Sequence, residues 1–581
     1  MIDWLHPSIF LILGAPFIPF LKGLNRQRYI VLLPALSLLS VMTMSPGIYG
    51  TFDFLGLELT FGRVDKLSLA FGWVFAIAAL IGAIYALHLK DDGQHIAAFV
   101  YAGSSLGVTF AGDLFTLFIF WELMAIASVW LIWSRRSKDS IAAGFRYVLV
   151  HTFGGVVLLA GILIHYQATG SIRFEAMNDP GPAFYLILAG FLLNAAVPPL
   201  HAWLTDAYPE ATVTGAVFLS AFTTKTAVYA LIRGYPGTEI LIWLGTIMAL
   251  YGVVYAVLAN DIRRLLAYHI VSQVGYMVAG VGIGTAMALN GAVAHAFTHI
   301  LYKGLLFMGA GAVIHMTARS KLTELGGLYR WMPLTFVLYM IGAFSISAFP
   351  LFSGFVSKSM VVSAAAEEHL AWIWLMLTMA SAGTFLHTGL KLPWFTFLGT
   401  DSGLRTSDPP LNMLVAMGIG AFLCIFIGIF PGWLYAMLPE PVDYHPYTAT
   451  HVVWALQILL FTGLGFFLLL KMVGGEKKIS LDTDWFYRKG ARLFLIFVHR
   501  VVVPVEGRMI AAYPHIFRAN LKLGERGLWL DKNVIDGAVN GVAATVLRWA
   551  GSLRKVQTGQ LQHYALLMAG SLLVLSLYWL L

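Results

Sequence analysis

Charged residues are scarce in this sequence. Asp, Glu, Lys and Arg make up 11% of the chain, whereas a soluble domain is usually about 25% charged. Hydrophobic residues account for 59% of the chain, and the mean hydropathy is +0.78. A chain this apolar cannot cover its core with a charged surface. We therefore exclude an ordinary water-soluble domain and predict a polytopic membrane protein.

Cysteine and the common cofactor motifs are also lacking. The single cysteine, Cys424, stands in an apolar run, which excludes a disulfide framework and a cysteine metal site. The sequence has no GxGxxG followed by an acidic ribose ligand, no GxxxxGK[ST] and no CxxC, so no nucleotide or iron–sulfur cluster is expected to bind. We predict no cofactor, no metal and no catalytic residue in this chain.

Apolar runs are what the sequence has in abundance. A run of roughly 20 residues crosses about 30 Å of hydrocarbon as a helix, and about fifteen or sixteen such runs extend from 5–21 to 562–581. The first run has no basic segment before it and no small-residue cleavage site after it. We expect it to be a retained helix and not a signal peptide.

The basic residues indicate the orientation, because Lys and Arg near the ends of spans stay in the cytoplasm. Most of them follow odd-numbered spans, which places the N-terminus on the outer side of the cell (inner) membrane. The residues that follow odd-numbered spans are Lys22, Arg26, Arg28, Lys90, Arg135, Arg136, Lys138, Arg263, Arg264, Arg319, Lys321 and Arg330. The net charge of +8 reflects this bias and a basic C-terminal segment, so nucleic-acid binding is not predicted.

The composition divides the chain into six segments. They are N-terminal transmembrane helices (1–94), a first repeat (95–235), a second repeat (236–400), C-terminal transmembrane helices (401–475), a basic amphipathic segment on the cytoplasmic side (476–561) and a terminal anchor (562–581). The amphipathic segment has two open interpretations. It is either a lipid-facing helix attracted to anionic headgroups or a strut that grips a neighbouring subunit.

Two predicted spans are interrupted by proline. Pro198 and Pro199 interrupt 183–204, and Pro350 with Ser353 and Gly354 interrupts 332–366. Proline removes a backbone hydrogen bond, and inside a bilayer the freed carbonyls must be satisfied by protein or trapped water. Broken helices at corresponding places in two halves of a transporter are typical of an inverted repeat with an ion site near the midplane.

Titratable side chains far from span ends are the candidate functional residues, because a charge near the bilayer centre costs about 2.5–3.5 kcal/mol. His295, His299 and Lys303 fall on one helical face and form a ladder about 12 Å long at 1.5 Å per residue. The ladder either passes protons or consists of neutral core groups that are hydrogen-bonded across helices. The full set of primary candidates is Glu122, Lys225, His295, His299, Lys303 and Lys358.

Other polar residues rank lower because they lie near predicted span ends. His201 and Asp206 occur where helix capping is the ordinary explanation, and His269 and Lys391 also stand near span ends. A haem or metal site at the histidines is disfavoured, because no second span offers a matching pair of histidines.

Four stretches then resemble a known family. They are "PLHAWLTDAYPEATVTGAVFLSAFTTKTAVYALIR", "DIRRLLAYHIVSQVGYMVAGVGIGT", "HAFTHILYKGLLFMGAGAVIHMTARSKLTELGGL" and "FPLFSGFVSKS". Together they resemble the antiporter-like membrane subunits shared by respiratory complex I and the multi-subunit Mrp cation/proton antiporters, with the Mrp D-type subunit as the nearest match. The resemblance covers about residues 65–435. "DTDWFYRKG" (482–490) resembles a tail found in Mrp-type subunits, and "VQTGQLQHYALLMAGSLL" resembles the end of the longest complex I subunit of this kind, whose tail carries a lateral helix.

The resemblance implies an all-α polytopic fold. It has about fourteen core transmembrane helices, arranged as two inverted five-helix repeats with two broken helices, and here also a lateral C-terminal segment and a final anchor helix. The family joins its halves by a hydrated midplane chain of Lys, Glu and His, to which the six primary candidates correspond. One position departs from the pattern, because Asn194 stands where the family usually has lysine. We expect Lys225 to take over as the partner of Glu122; otherwise the first half-channel is altered or silent.

These expectations combine into a function. We predict a proton-translocating subunit of a multi-subunit Na⁺/H⁺ antiporter, with other membrane subunits, anionic lipids, H⁺ and Na⁺ as its partners. The alternatives are the pump module of a redox complex such as a complex I-like dehydrogenase or a membrane hydrogenase, a partner for inorganic-carbon uptake, and a non-conducting docking subunit.

Overall fold

The computed structural model describes residues 4–474 and 481–580. They form two compact units, one that ends at Trp485 and one that begins at Phe486. The segment boundary predicted at 475/476 and the final residue of the predicted anchor, 581, lie outside the described residues. The other segment boundaries remain predictions.

Ten α-helices precede the second predicted repeat. They are α1 (Pro7–Gly14), α2 (Gly23–Thr43), α3 (Lys66–Tyr85), α4 (Asp92–Phe110), α5 (Leu114–Trp133), α6 (Lys138–Thr169), α7 (Pro182–Asn194), α8 (Ala202–Ala207), α9 (Val213–Ala221) and α10 (Thr223–Gly234). Short 3₁₀ segments follow α1 (Ala15–Phe20) and α8 (Tyr208–Glu210).

Ten further helices complete the first unit, apart from the first residues of α21. They are α11 (Glu239–Leu258), α12 (Ile262–Ile283), α13 (Ala286–Thr317), α14 (Pro333–Ile346), α15 (Ser353–Glu367), α16 (Ala371–Thr384), α17 (Leu411–Ile429), α18 (Pro431–Tyr435), α19 (Ala449–Leu468) and α20 (Leu470–Val473). The 3₁₀ segments Leu322–Glu324 and Leu328–Arg330 precede α14, and the π-helical segments Phe385–Lys391 and Trp394–Leu398 continue α16.

The membrane class predicted from composition is confirmed. In the described part of the chain, eleven helices are long and apolar enough to cross a membrane, and three apolar helical stretches are shorter, at Pro7–Phe20, Pro182–Asn194 and Pro333–Ile346. Two of the shorter stretches, α7 and α14, are the N-terminal parts of the two predicted broken spans. The exact number of crossings remains a prediction.

A two-stranded hairpin joins α2 to α3 and was not predicted. Strand β1 (Gly47–Phe54) pairs antiparallel with β2 (Leu57–Val64). The two-residue turn places Leu55 at φ 53° and Gly56 at φ 80°, and positive φ at both positions suits the twist of a hairpin. The strands were missed because their apolar residues stand between two much longer apolar runs.

The two proline breaks have the same backbone geometry, 152 residues apart. Ala196 and Ala348 both adopt positive φ, at 58° and 57°. The amide of Val197 donates to the Leu192 carbonyl, and that of Phe349 donates in the same way to the Phe344 carbonyl. This six-residue closure is the Schellman motif that terminates a helix, and a proline follows it each time. Matching breaks support the predicted repeat, which itself remains a prediction.

Close packing of α11 against α12 depends on glycine. A Cβ added at Gly245 would lie 2.2 Å from the backbone nitrogen of Ala279, and one added at Gly275 would lie 2.5 Å from that of Ala249. Backbone cannot yield at such distances. Small residues therefore allow these helices to approach each other, as is common in membrane bundles.

The second unit consists of helices. They are α21 (Asp484–Phe497, which begins in the first unit), α22 (Val503–Leu530), α23 (Asp536–Val556) and α24 (Leu561–Leu580), with π-helical turns at Val498–Val502 and Asp531–Ile535. Basic residues such as Arg508, Arg518 and Arg526 alternate with apolar ones along α22. Helix α24 is apolar over 20 residues and qualifies as a span. Whether the amphipathic part faces lipid or a subunit remains open.

Candidate functional site

The predicted ladder lies on α13, which begins after the N-cap residue Thr285 and continues unbroken for 32 residues. His295, His299 and Lys303 are completely buried. The ring centroids of the two histidines are 6.2 Å apart. The structure therefore places all three proton-binding groups inside the bundle and not on its lipid face.

His295 connects α13 to the second broken helix. Its Nδ1 lies 3.2 Å from the hydroxyl of Ser357, which is 2.7 Å from the hydroxyl of Thr298. The hydroxyl of Tyr302 lies 3.5 Å from Nε2 of the same histidine. Because hydroxyl groups donate and accept, this cluster offers proton-exchanging atoms next to Lys358.

Lys358 uses the break itself. Its Nζ donates to the carbonyl of Ile346 at 2.8 Å, and Ile346 is the last residue of α14. The ammonium also lies 5.3 Å from the ring centroid of Tyr276. Interrupting the helix thus exposes a carbonyl dipole to a buried cation, as broken helices of transporters do.

Several buried nitrogen atoms have no hydrogen-bond partner among the described residues. They are Nζ of Lys303 and both ring nitrogens of His299 and of His269. Buried polar groups are normally paired with protein or ordered water, so this part of the bundle is suited to internal water. His299 lies within electrostatic range of Lys225, Lys303 and Lys358. The lysines and histidines therefore form one interacting group.

The ladder extends toward the predicted cytoplasmic side on the π-helical segment. The rings of His269 and His387 are 6.0 Å apart, and Lys391, one turn further, donates to the carbonyls of Val257 and Ala259 at 2.5 and 3.4 Å. His269 also lies within electrostatic range of Lys303. His387 was not among the predicted site residues, because in sequence it looks like part of a span end.

Lys225 lies just after a helix interruption that the sequence did not reveal. Helix α9 ends at Ala221 and α10 begins at Thr223, and Nζ of Lys225 donates to the Ser220 carbonyl at 2.6 Å. Near it, the hydroxyls of Tyr101 and Thr223 are 2.6 Å apart. These two hydroxyls were missed because neither residue type is distinctive in an apolar run.

Glu122 is half-buried and faces α6. A Cβ added at Gly155 would lie 2.0 Å from its Oε1, so glycine there makes room for the carboxylate. In the described part of the chain no ion pair joins Glu122 to Lys225. The expected pairing is therefore not formed in this structure. Asn194 is buried at the end of α7.

His201 and Asp206 do more than cap a helix. Asp206 accepts from Nε and Nη2 of Arg146 at 2.6 and 3.0 Å. His201 makes no side-chain cap; its Nε2 lies 3.1 Å from a carboxylate oxygen of Asp482. The capping explanation is wrong for this histidine, because its partner comes from 281 residues further along the chain.

Asp482 is the clearest residue that sequence reasoning missed. The hydroxyls of Tyr251 and Tyr268 each donate to its carboxylate at 2.5 Å, so with His201 it joins α11, α12 and the first break. Burial alone would raise the pKa of Asp482, but the hydrogen bonds and charge of His201 and the two tyrosine hydroxyls lower it well below its usual range. Its motif was noted only as a resemblance. No group of three or more metal-ligating side chains occurs among residues 4–474 and 481–580.

The fold and the buried ladder define an antiporter-like membrane protein, and comparisons with known proteins agree. Residues 111–384 match the family model "NADH:quinone oxidoreductase/Mrp antiporter, TM". The chain is 32% identical to the N-type subunit of the NADH-quinone oxidoreductase of Desulforudis audaxviator over 56% of this chain and 70% of that protein. The chain therefore belongs to this family.

Other relatives differ in how much they share. The D-type subunit of the Na(+)/H(+) antiporter of Alkalihalophilus pseudofirmus is 34% identical over 46% of this chain and 58% of that protein. NAD(P)H-quinone oxidoreductase chain 5 of a Picosynechococcus species is 27% identical over 88% of this chain and 85% of that protein. The chain spans 64% of hydrogenase-4 component B of Escherichia coli, at 28% identity over 66% of this chain.

A solved structure shows the same fold. A chain of the membrane-bound sulfane sulfur reductase, an archaeal respiratory membrane complex, superposes with a TM-score of 0.70 at 24% identity, covering 98% of this chain and 99% of that chain. At this level of identity the likeness concerns the fold alone. The predicted fold class is thereby confirmed.

Proposed function

We propose that this chain is a proton-translocating subunit of a multi-subunit cation/proton antiporter. The observation that carries the proposal is the buried group formed by Lys225, His299, Lys303 and Lys358, in which charges act on one another inside an apolar bundle. Keeping so many ionisable groups away from bulk water is costly. Such an arrangement is expected where protons move.

The proposed path uses the predicted orientation. Protons enter from the cytoplasmic side of the first half, near Glu122 and Lys225, where the hydroxyls of Tyr101 and Thr223 supply a relay. They pass along the midplane through Lys303, with the histidines exchanging protons, and reach Lys358. Lys391 marks a second approach from the cytoplasmic side, through His387 and His269.

A redox-driven complex is the second candidate, and coverage along the chain favours it. The match to NAD(P)H-quinone oxidoreductase chain 5 includes 88% of this chain, whereas the match to the D-type antiporter protein includes 46%. In this version the same path is driven by electron transfer in other subunits. Partner proteins distinguish the two: small cofactor-free membrane proteins support the antiporter, and flavin, iron–sulfur or nickel proteins support the redox complex.

The test is a charge-neutralising substitution at the centre of the ladder. The native complex is captured through a tag on this chain, reconstituted in liposomes, and its proton flux is followed with a pH-sensitive dye under an imposed potential. Lys303→Gln should abolish the flux while the set of captured subunits stays unchanged. Lys138→Gln, an exposed lysine at the start of α6, is the matched control and should leave the flux intact.

The docking alternative gives the opposite result. If the wild-type complex assembles but conducts no protons under either sodium gradients or electron donors, this chain is a structural subunit. Flux that survives Lys303→Gln would exclude the proposed path even in a conducting complex.

A further inference from the structure

A cavity beside Lys358 has no role in the path described so far. It has a volume of about 50 Å³ and lies between α15, α16 and α19. Lys358, Ser359, Thr378 and His451 supply polar atoms to its wall, and Trp454 closes part of its apolar side. A polar cavity of this size has room for about three water molecules. The buried ammonium therefore faces a space in which water can carry a proton.

His451 stands between this cavity and the predicted outer side. It is the third residue of α19, and its ring contacts two hydroxyl groups beyond the cavity. Its Nε2 lies 3.4 Å from the Ser363 hydroxyl and its Nδ1 lies 3.4 Å from the Tyr444 hydroxyl. The two hydroxyls are 3.5 Å apart. Burial raises the pKa of Tyr444, so its hydroxyl keeps the proton needed for a relay.

The cluster ends at an exposed carboxylate. Ser359, Ser363 and Glu367 recur every four residues along α15, which places them on one helical face. Glu367 is exposed and lies within electrostatic range of the Tyr444 hydroxyl. At 1.5 Å per residue, the face extends about 13 Å from Lys358 to Glu367. A line of exchangeable groups thus joins the buried lysine to the surface.

We propose that His451 is the residue through which protons leave Lys358 for the outer surface. The proposal rests on the proposed proton path and adds its exit. One N–H bond of the ammonium breaks, and cavity water passes the proton to a ring nitrogen of His451. The imidazolium then releases a proton from its other ring nitrogen to the Ser363 and Tyr444 hydroxyls, from which it reaches water near Glu367. Each group returns to its starting charge after one proton has passed.

A purely structural role for His451 is the competing explanation. Capping α19 does not require the ring, because the Thr448 hydroxyl already accepts from the His451 amide at 3.3 Å. The ring instead stands where proton exchange needs a group that accepts on one nitrogen and donates on the other. Chemical rescue separates these roles, since a free imidazole can replace a proton carrier.

The test measures proton flux in the reconstituted native complex with the His451→Ala variant. We expect the flux to fall at least about tenfold, a conservative loss for a proton-transfer group, and imidazole added on the outer side to restore most of it. His445→Ala is the matched control, because that histidine belongs to the neighbouring loop and its side chain is 88% exposed. It should conduct like the wild type.

Two outcomes would overturn the exit assignment. The first is a flux in His451→Ala above half of the wild-type value, and the second is a loss that imidazole does not restore from the outer side. Failure of the underlying path looks different: the wild-type complex conducts no protons, or Lys303→Gln conducts as well as the wild type. Equal recovery of partner subunits in each variant shows that assembly is intact.

Discussion

Replacing Asp482 with asparagine should release residues 481–485 from the bundle. The Asp482 side chain is 4% exposed and accepts from Tyr251, Tyr268 and His201. Asparagine keeps one carbonyl oxygen, but its NH₂ group is a donor and cannot accept from the remaining hydroxyl or ring nitrogen. The substitution therefore leaves donors buried without an acceptor.

The size of the effect follows from the bonds that are lost. A hydrogen bond to a charged group contributes about 1.5–3 kcal/mol, and two of the three bonds to side chains cannot re-form with asparagine. The loss is then about 3–6 kcal/mol. Since each 1.4 kcal/mol is a factor of ten, local opening should become about 100-fold to 10,000-fold more frequent.

Amide hydrogen exchange in the detergent-solubilised complex measures this opening. The Thr483 amide donates to Asp482 Oδ1, and the Trp485 amide donates to the Asp482 carbonyl, so a peptide covering 481–485 reports directly. Thr483→Val is the control, because it removes only a neutral 3.3 Å bond to the Pro199 carbonyl. Exchange in the Asp482→Asn variant within threefold of the wild type would refute the reasoning.

The same carboxylate sets a pH dependence. Because its pKa is lower in the folded protein than the usual value of about 3.9 in the unfolded chain, its contribution is fully present above about pH 4. The contribution is lost only as the pH falls through the lower folded value. Protection of 481–485 should therefore not decline through titration of Asp482 between about pH 8 and 5. A decline of the wild type in that range to the level of Asp482→Asn would contradict the assignment.

Further substitutions test the rest of the site. Gly155→Ala should displace the Glu122 carboxylate by about 1.4 Å, the difference between the 2.0 Å approach and ordinary contact near 3.4 Å, and should slow proton flux; Gly154→Ala, which meets only a movable leucine side chain at 3.1 Å, should not, and equal rates would remove Glu122 from the path. Gly275→Val should prevent α11 and α12 from packing and abolish recovery of folded complex, measured by size-exclusion chromatography; normal recovery would disprove the close-packing argument. Lys391→Met should slow proton entry while Lys321→Met, on an exposed loop, should not; equal flux would exclude the second cytoplasmic approach.

Local sequence properties predicted a large part of the fold. Low charge and long apolar runs predicted the membrane class, and Pro198 and Pro350 predicted both helix breaks, because proline acts on its own backbone. Helical spacing predicted that His295, His299 and Lys303 share one face. The hairpin at Gly47–Val64 and the break at Phe222 were missed, since neither carries a proline and both lie beside stronger apolar signals.

The site was predicted in its members but not in its contacts. Sequence reasoning selected His201 as a helix cap, and the structure gives it Asp482 as partner. It expected Lys225 to pair with Glu122, and the structure turns Glu122 toward Gly155 on α6. It placed Lys358 near an exit, and the structure supplies the cavity and His451. Each contact joins residues on different helices, so no local pattern contains it.

The sequence by itself determined that this chain spans a membrane, where its helices break and which ionisable groups lie far from water. These properties follow from the hydrophobicity and backbone chemistry of neighbouring residues. Only the tertiary structure decided which of those groups meet. The rotation of each helix about its axis and the close approach allowed by glycine set the distances between side chains. At the distances these contacts require, a change of about one residue in helix rotation, 100° at 3.6 residues per turn, would break them.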